Sequence, residues 1–288
     1  MTGAHLARGK ALLAVGDVPA AIAEFLRAVE RDSNDAAARF ALGCAWLELG
    51  EPSRAIETLT PIATTKKAAA KISEARALLA APRSPAAYVR HLFDQFSADY
   101  DRKMVADLSY AAPAILRALA DLVLGPRKRK LAVLDLGCGT GLAGIAFKDI
   151  ASRLDGIDLS PAMIEKTCER KVYDTLDVAD IETALMRTRR RYDLILAADT
   201  LVYLGDLAAV FHGVHERLKP GGHFLFTVEK KKGKGFALGE KRRYRHSAAY
   251  LRALAERTQL EVMGLMECSP RREAKVPVEG FAVALARL

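Results

Sequence analysis

Apolar and polar positions recur along this chain with two different periods, and the change of period divides it. From about residue 4 to 81, alanine and leucine recur at helical spacing with few glycines or prolines, which predicts a succession of amphipathic helices. The succession repeats itself: Gly9, Gly16, Ala21 and Phe25 return as Gly43, Gly50, Ala55 and Leu59, a constant offset of roughly 34 residues. Each repeat reads as a helical hairpin whose small residues sit where the paired helices cross, with Phe25 and Leu59 filling the space between them. A third, lone helix over Lys71 to Ala81 covers the open apolar end. Pro82-Arg83-Ser84-Pro85 then breaks the pattern, because each proline removes a donor and disfavours helix in the residue before it. The domains expected on this basis are 1–83 and 87–288.

Beyond the break, Leu92, Phe93, Phe96 and Tyr100 stand at helical spacing within Tyr88 to Val105, and Pro113 to Leu124 reads as a further helix. Residues 88–124 thus form a helical entry. Short apolar runs then alternate with helical stretches. Leu131 to Leu136 is a strand and Leu142 to Ile150 a helix. Leu154 to Asp158 is a second strand, followed by a helix that Ser160 caps and Pro161 begins. Leu176 to Ile181 is a third strand, and Tyr192 to Tyr203 a fourth with its exit. A helix over Val210 to Leu218 ends at the turn Lys219-Pro220-Gly221-Gly222, and His223 to Glu229 follows as the fifth strand. Ala248 to Gln259 is helical, Leu260 to Met266 a sixth strand, and Val278 to Leu285 a last one. Such alternation predicts an α/β, doubly wound, Rossmann-like parallel sheet. A last strand returning from a loop adds a reversed C-terminal edge.

The first strand ends in Asp135 and breaks into Gly137, Gly139 and Gly141. A strand, a glycine turn and a helix N-terminus leave free N–H groups facing a gap with no Cβ in the way. Two ligands suit it. Gly139 to Gly144 satisfies the dinucleotide fingerprint, with a pyrophosphate on the helix N-terminus. Asp135 argues for a cation instead, since a diphosphate beside that carboxylate would meet like charge. Asp158 lies roughly twenty residues beyond the glycines, the spacing at which an acid accepts from ribose hydroxyls. Leu159 and Met163 are placed to wall an adenine.

The 288 residues carry a formal charge of +9 and are 51% hydrophobic, which suits a globular chain. Charge concentrates after the fifth strand: between Glu229 and His246 there are eight Lys or Arg against two Glu. That run is either a solvated face or a site for an anionic substrate or phosphate backbone. It holds only Phe236 and Tyr244 for base stacking, so a small anionic acceptor is favoured over nucleic acid. Cys44, Cys138, Cys168 and Cys268 are scattered without metal-site spacing and read as free thiols. His212 and His215 lie one helical turn apart with no third ligand, so no metal is expected. The start of the chain has neither a basic segment leading into an apolar core nor a membrane-length apolar run. A cytoplasmic location is expected.

Asp135-x-Gly-x-Gly-x-Gly resembles the first motif of class I methyltransferases dependent on S-adenosylmethionine (SAM). The stations at Asp158 and Asp180, and the helix, Lys-Pro-Gly-Gly turn and strand, resemble the same family. The 34-residue period resembles tetratricopeptide repeats, so the whole is similar to bacterial methyltransferases that carry such repeats. Tyr244-x-His246-Ser247-x-x-Tyr250 fits that group too. The resemblance implies SAM as cofactor, a small all-α tetratricopeptide-type domain in front, and a lid. Phe93-Asp94 to Tyr100-Asp101 resembles the family's cofactor-capping stretch, with Tyr100 as lid residue. Asp180 and the backbone of Ile181 are implied near the adenine amino group. Ala198 and Asp199 are implied beside the cofactor, with Thr200 and Tyr203 lining the transfer site. The fourth strand's tip carries neither the Asn/Asp-Pro-Pro-aromatic tetrad of adenine methylation nor a Pro-Cys nucleophile. Tyr203, Glu229 and His246 are the candidate bases or orienters. The expected activity is methyl transfer to a small, anionic metabolite at oxygen or nitrogen. Ranked below it are methylation of a protein or RNA recruited by the repeats or the basic loop, and an adaptor that senses SAM without catalysis. The repeats themselves are open to a protein partner or to self-association, and no membrane is implied.

Overall fold

Alanine-rich helices with glycine at their crossings build the first part of the chain. They are α1 (Thr2–Ala14), α2 (Val18–Arg31), α3 (Ala36–Glu48), α4 (Pro52–Leu59), a 3-10 turn (Thr60–Ile62) and α5 (Lys66–Ala80). Side-chain oxygens of Asp17, Asp35 and Thr65 accept from the first free N–H groups of α2, α3 and α5. The cap at Thr65 starts α5 five residues before Lys71, so this helix is longer than the periodicity suggests. A Cβ at Gly9 would lie 2.4 Å from the Phe25 ring, and one at Gly43 would lie 2.4 Å from Leu59. The two repeats therefore use the same small-against-large contact. Ala75 of α5 packs in the cluster of Phe25, Leu42 and Trp46, while Ala68 and Ile72 pack on Leu59.

The computed structural model describes residues 2–96, 100–102, 104, 108–126, 129–239 and 242–288. Within the lid-like segment, Ser97, Ala98, Asp99, Lys103 and Val105 lie outside the described residues, as do Glu240 and Lys241 of the basic run. The chain divides into two units, Met1–His91 and Leu92–Leu288. The division falls inside α6 (Ala86–Phe96), six residues or more beyond the proline-rich break, because the carbonyl of Pro85 accepts the first hydrogen bond of that helix from Val89.

The second unit continues with a helical turn, α7 (Tyr100–Arg102), and α8 (Ala112–Leu124). β1 (Leu131–Leu136), α9 (Leu142–Phe147), β2 (Ala151–Asp158), α10 (Pro161–Arg170), β3 (Thr175–Val178), α11 (Ile181–Arg187) and β4 (Tyr192–Ala197) follow. A 3-10 turn (Leu201–Tyr203) precedes α12 (Ala208–Arg217), β5 (Leu218–Lys230), β6 (Phe236–Leu238) and β7 (Tyr244–His246). The chain ends with α13 (Ala248–Arg257), β8 (Leu260–Cys268), β9 (Arg272–Glu273), β10 (Val276–Pro277) and β11 (Gly280–Arg287). The main sheet has the order β3-β2-β1-β4-β5-β11-β8. β1 to β5 run parallel, and β11 lies antiparallel between β5 and β8. This is the doubly wound, Rossmann-like α/β sheet with a reversed edge.

Alternate side chains of each central strand feed opposite layers. Leu134, Ile195, Phe224 and Phe226 pack with Leu185 of α11, Phe211 of α12 and Leu254 of α13. Val133, Leu194, Leu196 and Leu225 pack with Leu116 and Leu119 of α8 and Phe147 of α9 on the other face. With both faces covered, all six residues of β4 are buried.

Several boundaries differ from the apolar pattern for identifiable reasons. β2 begins at Ala151, which pairs with Leu131, so α9 stops at Phe147. β5 takes in the expected turn as a bulge: Tyr192 pairs with Leu218, but Leu194 pairs with His223. β3 ends at Val178, and Asp180 caps α11 instead of closing a strand. β6 and β7 lie within the basic run, where β7 extends the end of β5 by pairing Arg245 with Glu229. Strands this short carry no readable periodicity. All four cysteines are free thiols, and no described helix is long and apolar enough to cross a membrane.

The close crossing in the repeats makes a prediction with an unusual sign. Alanine is the better helix former by about 1 kcal/mol, yet Gly9→Ala should lower the melting temperature because its Cβ would meet the Phe25 ring at 2.4 Å. Gly3→Ala, with nothing within 4 Å of the new Cβ, should leave it unchanged or slightly raised. Thermal unfolding followed by circular dichroism measures both.

Candidate active site

The C-terminal ends of β1, β2, β4 and β5 gather most of the chemically distinctive side chains. At the end of β1 the chain turns through Gly137, at φ +74°, where a Cβ would strike the Thr200 side chain at 2.2 Å. Gly137 is therefore required by packing. Gly139, at φ +54°, is different, because a Cβ there would meet only the Tyr100 hydroxyl, 3.9 Å away. Its open side is a cradle. The turn is held from behind: the Gly139 N–H donates to Asp158 at 2.8 Å, and the Thr167 hydroxyl of α10 donates to the Gly139 carbonyl. Gly141, also at positive φ, precedes α9 directly and takes its N-cap position.

Two carboxylates lie beneath the turn with unlike satisfaction. Asp158 is engaged through both oxygens, accepting from Gly139 N–H and, at 2.9 Å, from Ser160 N–H. Burial pushes it up to about 6 against these lowering hydrogen bonds. Asp135 is fully buried. Its Oδ2 accepts from the Tyr173 hydroxyl at 2.6 Å, while its Oδ1 has no partner among the described residues. Burial pushes Asp135 up to about 7, opposed by the Tyr173 hydrogen bond. A buried carboxylate oxygen without a donor is costly unless a donor or cation arrives.

The rim is aromatic and latched. Phe93 meets Tyr100 edge to face at 6.1 Å and Tyr203 at 5.6 Å between centroids. Asp94 accepts from the Ser160 hydroxyl. Asp101 accepts from Thr140 in the glycine turn and from Arg170 of α10. Tyr100 is thereby held over Gly139, and burial raises its pKa, with a further push from Asp199.

The β4 tip turns at Asp199, which takes the left-handed φ of +56°, an uncommon conformation for a residue with a side chain. The Thr227 hydroxyl accepts from its N–H at 2.8 Å, and the Ala198 carbonyl accepts from the Tyr110 hydroxyl at 3.2 Å. Tyr203 is buried, and burial raises its pKa against the lowering influence of Arg243. Its phenol is thus a donor at neutral pH. Glu229 is buried at the end of β5 in a short ion pair with Arg271. His246 is fully buried and lowered to about 4 by burial. Its Nε2 lies 3.0 Å from the Gly205 carbonyl and so carries the proton, and its ring stacks on Tyr250.

Asp135, the glycines, Asp158, Tyr100, Ala198, Asp199, Tyr203 and Glu229 therefore belong to adjoining strand ends and their lid. Leu159 is half-buried beside Asp158, while Met163 is fully buried in α10. Asp180 and Ile181 start α11, with Asp180 accepting from Glu182 N–H at 3.1 Å. His246 sits on the hairpin side, against the Leu201–Tyr203 turn and Gly205. His212 is exposed, and no cluster of metal-ligating residues occurs among the described residues.

Residues 134–224 match the family described as a methyltransferase domain, and residues 6–60 match the tetratricopeptide repeat. The ubiquinone biosynthesis O-methyltransferase of Nitrobacter winogradskyi is 31% identical over 111 residues, which cover 38% of this chain and 42% of that protein. The malonyl-(acyl-carrier protein) O-methyltransferase of Pseudescherichia vulneris is 32% identical over 123 residues, 42% of this chain and 49% of that protein. The chain thus spans less than half the length of these curated relatives. Among solved structures, magnesium protoporphyrin IX methyltransferase from Synechocystis PCC 6803 with bound S-adenosylhomocysteine (SAH) aligns with a TM-score of 0.56 at 18% identity, over 70% of this chain and 99% of that one. The N-methyltransferase NodS from Bradyrhizobium japonicum WM9, in complex with SAH, aligns with a TM-score of 0.54 at 20% identity, over 69% and 97%. The second unit therefore has the fold of these SAM-dependent methyltransferases and matches the methyltransferase-domain family over residues 134–224, and a region that matches the tetratricopeptide repeat precedes it. The residues present fit that cofactor: Gly139 leaves its outer side open, and the unpartnered Asp135 oxygen suits a cationic ligand rather than a phosphate.

Three contributors were not foreseen. Tyr173 and Thr167 support the glycine turn from α10 and the loop after it, and Arg271 gathers the carboxylates at the far rim. Nothing in the local sequence separates them from ordinary loop and helix residues, since their partners are 28 to 72 positions away.

The state of Asp135 sets a pH test. Its folded pKa of about 7 exceeds the unfolded value, so its favourable contribution is full below about 4 and is lost as pH rises through about 7. Asp135→Asn keeps an acceptor for Tyr173 and removes the charge. Without cofactor, the variant should gain melting temperature over the native chain by more at pH 8 than at pH 5, by scanning calorimetry. An equal shift at both pH values would contradict the raised pKa.

Proposed function

We propose that the chain transfers the methyl group of SAM to an oxygen or nitrogen of a small, anionic acceptor. The observation that carries the reading is the fully buried Asp135, with one oxygen unpartnered among the described residues, at the end of the strand that leads into the glycine turn, where Gly139 has an open side. When bound, SAM supplies an activated methyl group on a sulfonium. Gly137, Gly139 and Gly141 let its adenosyl portion approach the backbone. Asp158 accepts from ribose hydroxyls with its remaining lone pairs, Leu159 walls the adenine, and Asp180 accepts from the adenine amino group while the Ile181 N–H donates to a ring nitrogen. Ala198 and Asp199 receive the amino-acid end, and Tyr100 closes over the top. Lid and rim together keep water out and hold the reacting atoms in line, the effect by which positioning accelerates such a transfer.

The acceptor class follows from the other rim. The loop between β5 and β6 carries Lys232 and Lys234, and β7 carries Arg245, all on exposed positions, a field that draws anions. Of the candidate bases, Glu229 is bound to Arg271, the Tyr203 phenol is neutral, and His246 gives its Nε2 proton to Gly205 and keeps its Nδ1, unpartnered among the described residues, fully buried. An acceptor already ionised, such as a carboxylate or phenolate, needs none. Tyr203 then orients it as a donor. The relatives' names include both O- and N-methyltransferases, which suits either atom.

Isothermal calorimetry with SAM, SAH and NAD tests the cofactor. SAM and SAH should bind and NAD should not, and Gly139→Arg should abolish binding while lowering the melting temperature by only the few degrees that a side chain at φ +54° costs. Binding of NAD without response to SAM would replace this reading with a dinucleotide enzyme. For the acceptor, titration of a generic oligonucleotide at two salt concentrations is decisive. A small-molecule enzyme should show no submicromolar binding at physiological salt, whereas tight binding lost in Lys230→Glu, Lys231→Glu and Lys232→Glu together would make nucleic acid the substrate.

A further inference from the structure

The least expected feature of the second unit is a buried cation at the methyl-transfer edge. Arg271 is 1% exposed, and its guanidinium is saturated by carboxylates from three elements. Nη1 lies 2.6 and 2.8 Å from the two oxygens of Asp199 at the β4 tip. Nη2 donates to Glu229 at the end of β5, and Nε donates to Glu273 of β9 at 3.0 Å. The loop that carries Arg271 is itself fixed. The Pro270 carbonyl accepts from the N–H groups of Ala111 and Ala112 at 2.8 and 3.1 Å, and Arg272 N–H donates to the Leu108 carbonyl at 2.7 Å.

A buried ion cluster of this kind is a poor way to gain stability, since desolvation offsets most of the attraction. Its placement is informative instead. Two of the three carboxylates end the strands that border the site, and Asp199 is held in a left-handed turn that costs free energy on its own. We propose that Arg271 is a positioning residue, acting through Asp199 to hold the β4 tip in the shape that receives the amino-acid end of the cofactor. The inference rests on the methyl-transfer reading and adds to it the group that orders the rim. Arg271 is 1% exposed and, among the described residues, all its hydrogen bonds from the guanidinium go to carboxylates, so its action is indirect. The other groups facing Asp199 are Arg243 before β7, Glu229 of β5, Tyr100 of α7, Tyr203 of the 3-10 turn, Tyr110 before α8 and Cys268 of β8. Of the two cations, Arg243 is engaged with Glu273 and lies over the Tyr203 ring at 6.0 Å, which leaves Arg271 as the one bonded to both Asp199 oxygens.

A pair of ligands separates this role from a general loosening of the fold. SAH contains the amino-acid end, and 5′-methylthioadenosine is the same nucleoside thioether without it. Arg271→Lys keeps the charge and loses the planar fork. It should weaken SAH by about tenfold, the scale of one charge-assisted hydrogen-bond set, while 5′-methylthioadenosine stays within about twofold. Asp199→Asn should give the same selective loss, and adding Arg271→Lys to it should cost SAH nothing further. Parallel loss of both ligands in either single variant, or unchanged SAH affinity in folded Arg271→Lys, overturns the proposal. Should Arg271→Lys fail to fold, Arg271→Gln, which leaves Asp199 in place and loses the bidentate fork, decides by the same criterion. A native chain that binds neither ligand would overturn the cofactor reading and this inference with it, whereas native binding of both with an unmoved ratio removes only the role of Arg271.

Discussion

A carboxylate buried at the end of a strand, with one oxygen lacking a donor, is the constraint around which the second unit is arranged. Asp135 ends β1 where the sheet is covered on both faces, and its Oδ1 has no hydrogen-bond partner among the described residues. The fold tolerates that cost because the glycine turn above leaves room for something else to satisfy it. Tyr173 takes the other oxygen, α10 braces the turn through Thr167, and Asp158 ties Gly139 from the next strand. These contacts stiffen a loop whose glycines would otherwise give it freedom. Stability is thereby given up at one atom and recovered around it, as expected where a binding function sets the sequence.

The opposite rim works by charge balance. Arg271, Arg243 and Arg245 face Asp199, Glu229 and Glu273, and the hairpin that brings two of these arginines is an extension of β5. The carboxylates at this rim are therefore engaged in structure and are poorly suited to abstract protons. The lid side differs again, with Asp94 and Asp101 latching α6 and α7 onto hydroxyls at the N-termini of α10 and α9. The glycine turn, the latched aromatic rim and the arginine-rich rim are thus separate elements around one sheet edge.

What was legible in the sequence followed local physics. The α/β alternation, the reversed last strand, the crossing of Gly9 with Phe25 and of Gly43 with Leu59, and the placement of Asp158 behind the glycine turn all depend on residues whose meaning is set by near neighbours or a fixed period. Boundaries failed where pairing overrode pattern, as at Ala151 and in the bulge of β5. The hairpin of β6 and β7 was read as a bare charge run because three-residue strands have no period to detect. Arg271 was missed for a stronger reason: its role exists only when partners 42 and 72 positions away reach it. For Glu229 and His246, residue type alone suggested bases, and it could not show that one is ion-paired and the other faces a carbonyl.

The central claim is that the buried carboxylates at the glycine turn, with their pKa values raised by burial, bind a cationic nucleoside. The most direct measurement is the number of protons exchanged when SAM binds, from calorimetry in two buffers of different ionisation enthalpy at about pH 6.5. Asp135, pushed up to about 7, and Asp158, pushed up to about 6, are partly protonated there, and a cation favours their ionised forms. The account predicts net proton release that fades above about pH 8. Binding with proton uptake, or with none at any pH between these values, would contradict it.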